Sequence, residues 1–410
     1  MNAELTAAVF AVLDRRLSLQ SSAPVALALS GGGDSMALLQ LAAAWCARHG
    51  RRLIALTVDH GLNPESAGWT ASAGRAAEAA GADWRALAWT GPKPSTGLPA
   101  AARQARHALL AEAARAAGAR VVLMAHTLDD VLEGDLMRAV DAPGLPRLAD
   151  WGPSPAWPEG RGVFLLRPLL AIRREALRDE LGRRGIDWLE DPANRDPRFA
   201  RARARAALEG GTAATPASNP PVCTPAAEST TADGRILFPR APLDGRTLAA
   251  ALLCAAGTTS PPRGGALARL QARLAAGESF QATLAGARIV AGPDEIALGR
   301  EPGRQGLADL ALGPGTPAVW DGRFEAVAER AELGLVALAG RIARLSRDER
   351  AALAEIPAWA RGALPAVVAA DGSISLPRPW GRAPVEARNL AAARLVAACG
   401  QIAHETAILA

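Results

Sequence analysis

Ser30-Gly31-Gly32-Gly33-Asp34-Ser35 stands between the apolar run Val25 to Leu29 and the alanine-rich apolar run Met36 to Ala47. A short apolar run, a cluster of glycines and a longer apolar run read as strand, turn and helix. That layout sets the unpaired amides and positive dipole end of a first helical turn beside a strand end, where phosphate binds well. The expected fold is therefore α/β, and the expected ligand a nucleotide.

The kind of loop matters as much as its presence. Nucleotide hydrolases place a lysine before the Ser/Thr of such a loop to reach the outer phosphates; here Asp34 precedes Ser35. A carboxylate beside phosphates makes chemical sense with a cation between them, so Asp34 is read as a Mg²⁺ ligand or orienter. Ser30 and Ser35 supply hydroxyls, while Gly31, Gly32 and Gly33 permit close backbone approach and positive φ. A tight glycine turn without a ligand is the plain alternative.

Further apolar runs at Leu53 to Val58, Trp84 to Trp89 and Val121 to Met124 alternate with helical patterns near 36–49, 65–80, 99–117 and 127–140. This alternation predicts a parallel, doubly wound sheet covered on both faces. Ligands of such sheets lie beyond the carboxyl ends of the strands. Polar residues gather at three of those ends: Ser30 to Ser35, Asp59-His60-Gly61 and His126-Thr127. In the segment His126 to Glu133, a helix starting near Thr127 places Asp130 and Glu133 on one face, with His126 a turn back. Helix capping is the alternative for these acids. A transition-metal centre is disfavoured, since no second histidine lies nearby in sequence.

At 410 residues the chain has room for two or three domains. No uninterrupted run of about 18 apolar residues occurs, which argues against a membrane span, and Glu4, Asp14, Arg15 and Arg16 break up the start before a secretion signal can form. Cys46, Cys223, Cys254 and Cys399 form no CxxC pair, so a zinc knuckle or cluster is not expected and a reducing, cytoplasmic setting fits. The net charge of +5 permits a polyanionic partner. Its weight is reduced by a compositional bias, since Lys93 is the chain's single lysine. From Arg161 to Arg205 there are twelve arginines against seven acidic residues, and Arg198, Arg201 and Arg205 share one helical face. Such a stripe suits phosphate contacts to RNA; a solvated face is the rival.

Residues 209–233 hold no aromatic residue and read as a linker or disordered insertion. A helical segment is expected over 242–276, strands over 281–298, a turn at Trp320 to Phe324 and a terminal helix near 386–403. Trp320, Phe324 and Trp380 are candidate base-stacking residues, with burial in a core as the commoner use.

The S-G-G-x-D-S pattern in its strand-turn-helix setting resembles the PP-loop ATP pyrophosphatases. Further motifs narrow the resemblance to the tRNA(Ile)-lysidine synthase family: Val58-Asp59-His60-Gly61-Leu62, Ala102-Arg103 with Arg106, His126 to Glu133, Arg167-Pro168-Leu169-Leu170, and Trp188 through Arg205. Residues 20–207 carry it in order. Departures from the family pattern are His107 for tyrosine, Val131 for glutamine, Gly134 for threonine and Ala202 for asparagine.

The resemblance implies an adenine nucleotide alpha hydrolase-like PP-loop domain over 1–208 and a linker over 209–235. A substrate- or tRNA-binding module over 236–300 and a mixed α+β tRNA-positioning domain over 301–410 would follow. It implies ATP and Mg²⁺ as cofactors, with free L-lysine and an isoleucine tRNA of anticodon CAU as partners; no protein partner is implied other than a second copy of the chain. The implied reaction adenylates the wobble cytidine at its carbon 2 oxygen, releasing pyrophosphate, and lysine then displaces AMP. Ser30 to Ser35 would bind the ATP phosphates, and Asp59 and His60 would lie near the adenosine. Arg103 and Arg106 would reach the α-phosphate or the tRNA, and His126 would contact ATP. Asp130 and Glu133 would bind lysine or assist metal and proton transfer. Rival readings are a tRNA thiolase, which the lack of paired cysteines opposes, a PP-loop enzyme acting on a small acid, and a non-catalytic paralogue that binds ATP and tRNA.

Overall fold

A computed structural model of the chain describes residues 2–141, 148–190, 200–208, 230–262 and 264–408. The chain divides into two compact units, residues 1–221 with 402–410, and residues 222–401. Arg198 and residues 209–229 lie outside the described residues, as does the side chain of Arg201.

The first unit runs α1 (Ala3–Arg16), β1 (Val25–Ala28), α2 (Gly33–Arg48), β2 (Leu53–Asp59), α3 (Ser66–Ala79), β3 (Asp83–Ala88), α4 (Leu98–Ala116), β4 (Val121–Leu123), α5 (Leu128–Asp141), β5 (Trp151–Pro153), β6 (Phe164–Leu166), α6 (Arg174–Arg183) and α7 (Ala200–Leu208). Its sheet has the order β3-β2-β1-β4-β6-β5. All neighbours are parallel except the edge strand β5, which runs antiparallel to β6. The continuous apolar runs of β1 and β4 explain their central places, since a covered parallel strand buries both faces; Val25, Ala26, Leu27, Val121 and Val122 have no exposed surface. β1 pairs with β2 on one side and β4 on the other, in register Ala26 with Ile54 and with Val122. The crossovers therefore reverse direction at β1, which opens a crevice between the ends of β1 and β4. The loop after β1 and the segment after β4 are two of the three strand ends that the sequence singled out; the third follows β2.

One feature of this unit is not written in the sequence pattern. The final residues belong to it: Ile402 O accepts from Trp151 Nε1 at 2.6 Å, and Glu405 is buried against Arg51 with both carboxylate oxygens at 2.8 Å from its guanidinium. Glu405 Oε2 also accepts from the Ser18 amide at 2.8 Å.

The second unit begins with β7 (Ile236–Pro239), α8 (Gly245–Ala256), α9 (Gly264–Ala275), β8 (Phe280–Leu284), β9 (Ala287–Ala291) and β10 (Glu295–Arg300), whose strands form an antiparallel sheet in the order β7-β10-β9-β8. The helical segment expected over 242–276 is made of α8 and α9. Asp244 caps α8 through the amides of Arg246 and Thr247, and Gly257 ends it at φ +69°.

The chain continues as β11 (Leu310–Leu312), β12 (Ala318–Trp320), β13 (Phe324–Ala328), β14 (Leu333–Ala337), α10 (Arg347–Ala352), α11 (Ala358–Arg361), β15 (Pro365–Ala369), β16 (Ile374–Ser375), β17 (Val385–Asn389) and α12 (Ala391–Ala398). Sheets β11-β14-β15-β16 and β12-β13-β17 share a core that holds Trp320 and Phe324, at 1% and 0% exposure. These two rings are core residues and not base-stacking ones. Trp380 is partly buried against the same core, edge-on to Phe324. The terminal helix expected near 386–403 is also corrected: Val385 and Ala387 are buried while Glu386 and Arg388 are exposed, a period of two that makes a strand, and only 391–398 is helical. Among the described residues no helix is long and apolar enough to cross a membrane. Cys46, Cys254 and Cys399 are buried free thiols.

Candidate active site

The loop after β1 is shaped by its own hydroxyls. Ser30 Oγ and Ser35 Oγ lie 3.1 Å apart, and Ser35 Oγ donates to Gly32 O at 2.9 Å. Gly31 has φ +82°, and its neighbour Leu189 leaves no room for a side chain: a Cβ there would stand 2.7 Å from Leu189 Cδ1. The Leu189 amide donates to Gly31 O at 2.9 Å, and the Trp188 ring lies against Gly33. The distant Trp188-Leu189 motif thus forms the back of the loop. α2 starts at Gly33, so Asp34 and Ser35 sit in its first turn, where the dipole favours anions.

α5 faces this loop with its acids. Thr127 precedes the helix, and its amide and hydroxyl donate to Asp130 Oδ2 at 2.8 and 3.1 Å. Asp130 therefore fills the capping place in which the plain alternative put it. Asp129 Oδ2 accepts from the Arg174 amide at 2.8 Å, and Asp129 Oδ1 meets Arg173 at 3.1 Å, so this acid ties the start of α6 to α5. Glu133, 1% exposed, places Oε1 at 2.9 Å from Arg205 Nε and 3.2 Å from Arg174 Nη1.

Arg174 joins the two halves. Its Nε donates to Asp34 Oδ2 at 3.0 Å, and its Nη2 lies 3.6 Å from Asp130 Oδ2. Sequence reasoning passed over Arg174. A signal was present: Arg173-Arg174 opens a helix, where a cation opposes the dipole and calls for nearby anions. Burial pushes the Asp34 carboxyl above the usual carboxylate range, with Arg174 pulling the other way, while the surrounding acids raise the Arg174 guanidinium.

A second group of residues gathers around His107. Arg103, Arg106, Arg167 and His126 all act electrostatically on His107. His107 is 3% exposed, and neither ring nitrogen has a hydrogen-bond partner among the described residues; burial first, then the charges of Arg106, Arg103 and Arg167, push its pKa down to about 3. Burial also lowers the pKa of Arg167 to about 10, and this side chain donates to Ala149 O at 2.8 Å. Asp59 Oδ1 accepts from the Gly61 amide at 2.8 Å and so shapes the loop after β2. The His60 ring meets Trp89 edge-on at 6.0 Å, and burial, followed by Arg106, lowers its pKa. Arg205, expected on an RNA-facing stripe, points its Nε at Glu133. The described residues thus place Asp34, Asp130, Glu133 and Arg205 in one set joined through Arg174 and Glu133, with Ser30 in the same loop as Asp34 and with Arg103, Arg106 and His126 near His107. Asp59 and His60 lie at the end of β2, within the electrostatic reach of Arg106.

Mg²⁺ fits this donor set in one way. No group of three or more acids, histidines or cysteines forms a preformed cage among the described residues. Mg²⁺ beside ATP needs only one or two carboxylates, with phosphates and water completing its shell. Asp34 Oδ1 and Glu133 Oε2 are buried and without a hydrogen-bond partner among the described residues, which suits a cation ligand.

Comparisons with known proteins bear on the family. The model of the PP-loop domain matches residues 5–210. The tRNA(Ile)-lysidine synthase of Caulobacter vibrioides is 50% identical over 367 residues, covering 89% of this chain and 88% of that protein. The tRNA(Ile)-lysidine synthase of Hyphomonas neptunium is 39% identical over 344 residues, covering 77% and 89%. Among solved structures, the U34-tRNA thiolase NcsA of Methanococcus maripaludis shares 18% identity at a TM-score of 0.42, over 50% of this chain and 73% of that one. With a PP-loop at the reversal point of its sheet and relatives matched along most of its length, this chain belongs to the tRNA(Ile)-lysidine synthase family of PP-loop, ATP-using ligases.

Proposed function

We propose that the chain ligates lysine to carbon 2 of the wobble cytidine of an isoleucine tRNA with anticodon CAU, in a reducing cytoplasm. The observation that carries this reading is the meeting of phosphate loop and acidic helix: one guanidinium bonds Asp34 of the loop and Glu133 of the helix at 3.0 and 3.2 Å.

The roles follow from charge. Amides of the loop and the hydroxyls of Ser30 and Ser35 hold the triphosphate, and Asp59 and His60 border the adenosine. Asp34 would hold Mg²⁺, which when bound would supply neutralisation of the triphosphate charge. Arg103 and Arg106, with His126, stabilise negative charge developing at the α-phosphate. The carbon 2 oxygen of cytidine attacks the α-phosphorus, and the bond to the bridging oxygen breaks to release pyrophosphate. Glu133 and Asp130 hold the lysine, whose amine attacks carbon 2 while the carbon–oxygen bond to AMP breaks. The amine proton passes to one of these carboxylates.

Residues 1–208 are assigned to ATP binding and catalysis, and 236–300 with 301–410 to holding the tRNA. Arg198 and Arg201 are assigned to RNA phosphates. Arg205 is assigned to the same helix face and, through Glu133, to the acid site. A second copy of the chain is the one protein partner this reading admits.

The test is incubation of the full chain with ATP, labelled lysine and unmodified isoleucine tRNA, followed by nucleoside analysis. Lysine found on the wobble cytidine, with AMP formed, supports the reading. Sulfur transfer, or ATP turnover without lysine transfer, overturns it.

A further inference from the structure

Each guanidinium nitrogen of Arg174 faces a different carboxylate: Nε meets Asp34, Nη1 meets Glu133 and Nη2 meets Asp130. Its backbone amide meets a fourth, Asp129. Its side chain is thus bonded both to the phosphate loop, at Asp34, and to α5, at Glu133. Arg174 itself is 14% exposed. Four carboxylates drawn this close repel one another strongly at reduced dielectric, so without the guanidinium they would turn apart or take up protons.

The way the bonds are shared is informative. Arg174 takes Oδ2 of Asp34 and leaves Oδ1, and takes Oε1 of Glu133 and leaves Oε2. The two oxygens left over are the buried ones without a hydrogen-bond partner among the described residues. Arg205 does not alter this, because its Nε goes to the Glu133 oxygen that Arg174 already holds. A carboxylate gripped at one oxygen by a planar fork has its other oxygen fixed in direction. Buried anionic oxygens left in this state call for a cation.

We infer that Arg174 is a positioning residue, which grips one oxygen each of Asp34 and Glu133 and thereby presents Asp34 Oδ1 to the metal of bound ATP and Glu133 Oε2 to a substrate ammonium group. It touches neither reacting atom. The inference rests on the lysine-ligase reading only for the identity of the ammonium; the Asp34 half stands on ATP binding alone. Arginine is needed here rather than lysine, because a single ammonium cannot bond carboxylates in three fixed in-plane directions.

The experiment uses the full chain with Arg174→Ala and Arg174→Lys. Mn²⁺ affinity in the presence of ATP is read by electron paramagnetic resonance, with circular dichroism as the check on folding. Arg174→Ala is expected to weaken Mn²⁺ binding about tenfold or more, the range for loss of a residue that orients a ligand. Arg174→Lys should recover only part of this, and added guanidinium ion at low concentration should tighten binding to Arg174→Ala while leaving wild type unchanged. For the Glu133 half, Arg174→Lys should raise the KM for lysine more than it lowers kcat. A folded Arg174→Ala variant with wild-type Mn²⁺ affinity overturns the inference. If Arg174→Ala does not fold, Arg174→Lys decides, and wild-type Mn²⁺ affinity in that variant also overturns it. Should wild type transfer no lysine to tRNA, the ligase reading falls, while the Mn²⁺ comparison still decides the role of Arg174.

Discussion

Leu189 fills the space in which a side chain on Gly31 would lie, with its Cδ1 2.7 Å from the Cβ position. Gly31 also has φ +82°, a conformation that disfavours any L residue with a Cβ. Two constraints thus converge on one glycine, and they separate experimentally. Gly31→Ala is expected to weaken ATP binding about tenfold, from roughly 1–2 kcal/mol of backbone strain plus displacement of Leu189. Adding Leu189→Ala should restore only the part due to the clash. Calorimetric ATP titration of the single and double variants checks this, and full restoration would assign the whole effect to Leu189.

His107 links the site to pH. Its folded pKa of about 3 lies below the ordinary 6.5, so the unfolded chain binds the extra proton between these values. Stability from this group is complete above pH 6.5 and falls as pH drops toward 3, at up to about 1.4 kcal/mol per pH unit. His107→Tyr, which installs the residue of the family pattern, should flatten the fall between pH 6 and 4. Urea unfolding followed across that range measures the slope; an unchanged slope would show that His107 does not carry it.

Arg51 and Glu405 form a buried pair, at 0% and 4% side-chain exposure, between the start of β2 and the end of the chain. Removing one partner of such a pair leaves an uncompensated charge and costs about 3–5 kcal/mol. Glu405→Ala should therefore lower the urea midpoint of the first unit by much more than the Arg51→Met, Glu405→Leu double variant does. Equal losses in the two would mean that packing, and not charge, holds the tail.

The arginines of the 198–205 stripe should behave differently from one another. Arg201→Ala is expected to reduce the salt dependence of tRNA binding by about one phosphate contact, with little change in the KM for lysine. Arg205→Ala, which frees one side of Glu133 Oε1, should raise the KM for lysine. Filter binding at several salt concentrations, run beside lysine kinetics, distinguishes the two.

The fold was legible where local pattern and burial agree. The runs before Ser30 and before His126 are continuous and apolar because β1 and β4 are covered on both faces, so their place in a parallel, doubly wound sheet could be read directly. The short strands β5 and β6 escaped notice, since three-residue strands carry too few positions to show a period. Arg174 and Glu405 escaped for another reason. Their partners are 140 and 354 positions away in sequence, and an arginine in an arginine-rich chain gives no local sign of what it will meet. At Trp320 and Phe324 the commoner of the two readings holds: the β12–β13 hairpin buries both.

The most direct test of the central claim, that one crevice joins an ATP-activating half to a lysine-holding half, is pyrophosphate release measured with tRNA in the presence and absence of lysine. In Glu133→Gln, tRNA-dependent pyrophosphate release should persist while lysine transfer is lost; in Asp34→Asn both should be lost. Loss of tRNA-dependent pyrophosphate release in a folded Glu133→Gln variant, or lysine transfer at the wild-type rate, would contradict the division of the site between these two carboxylates.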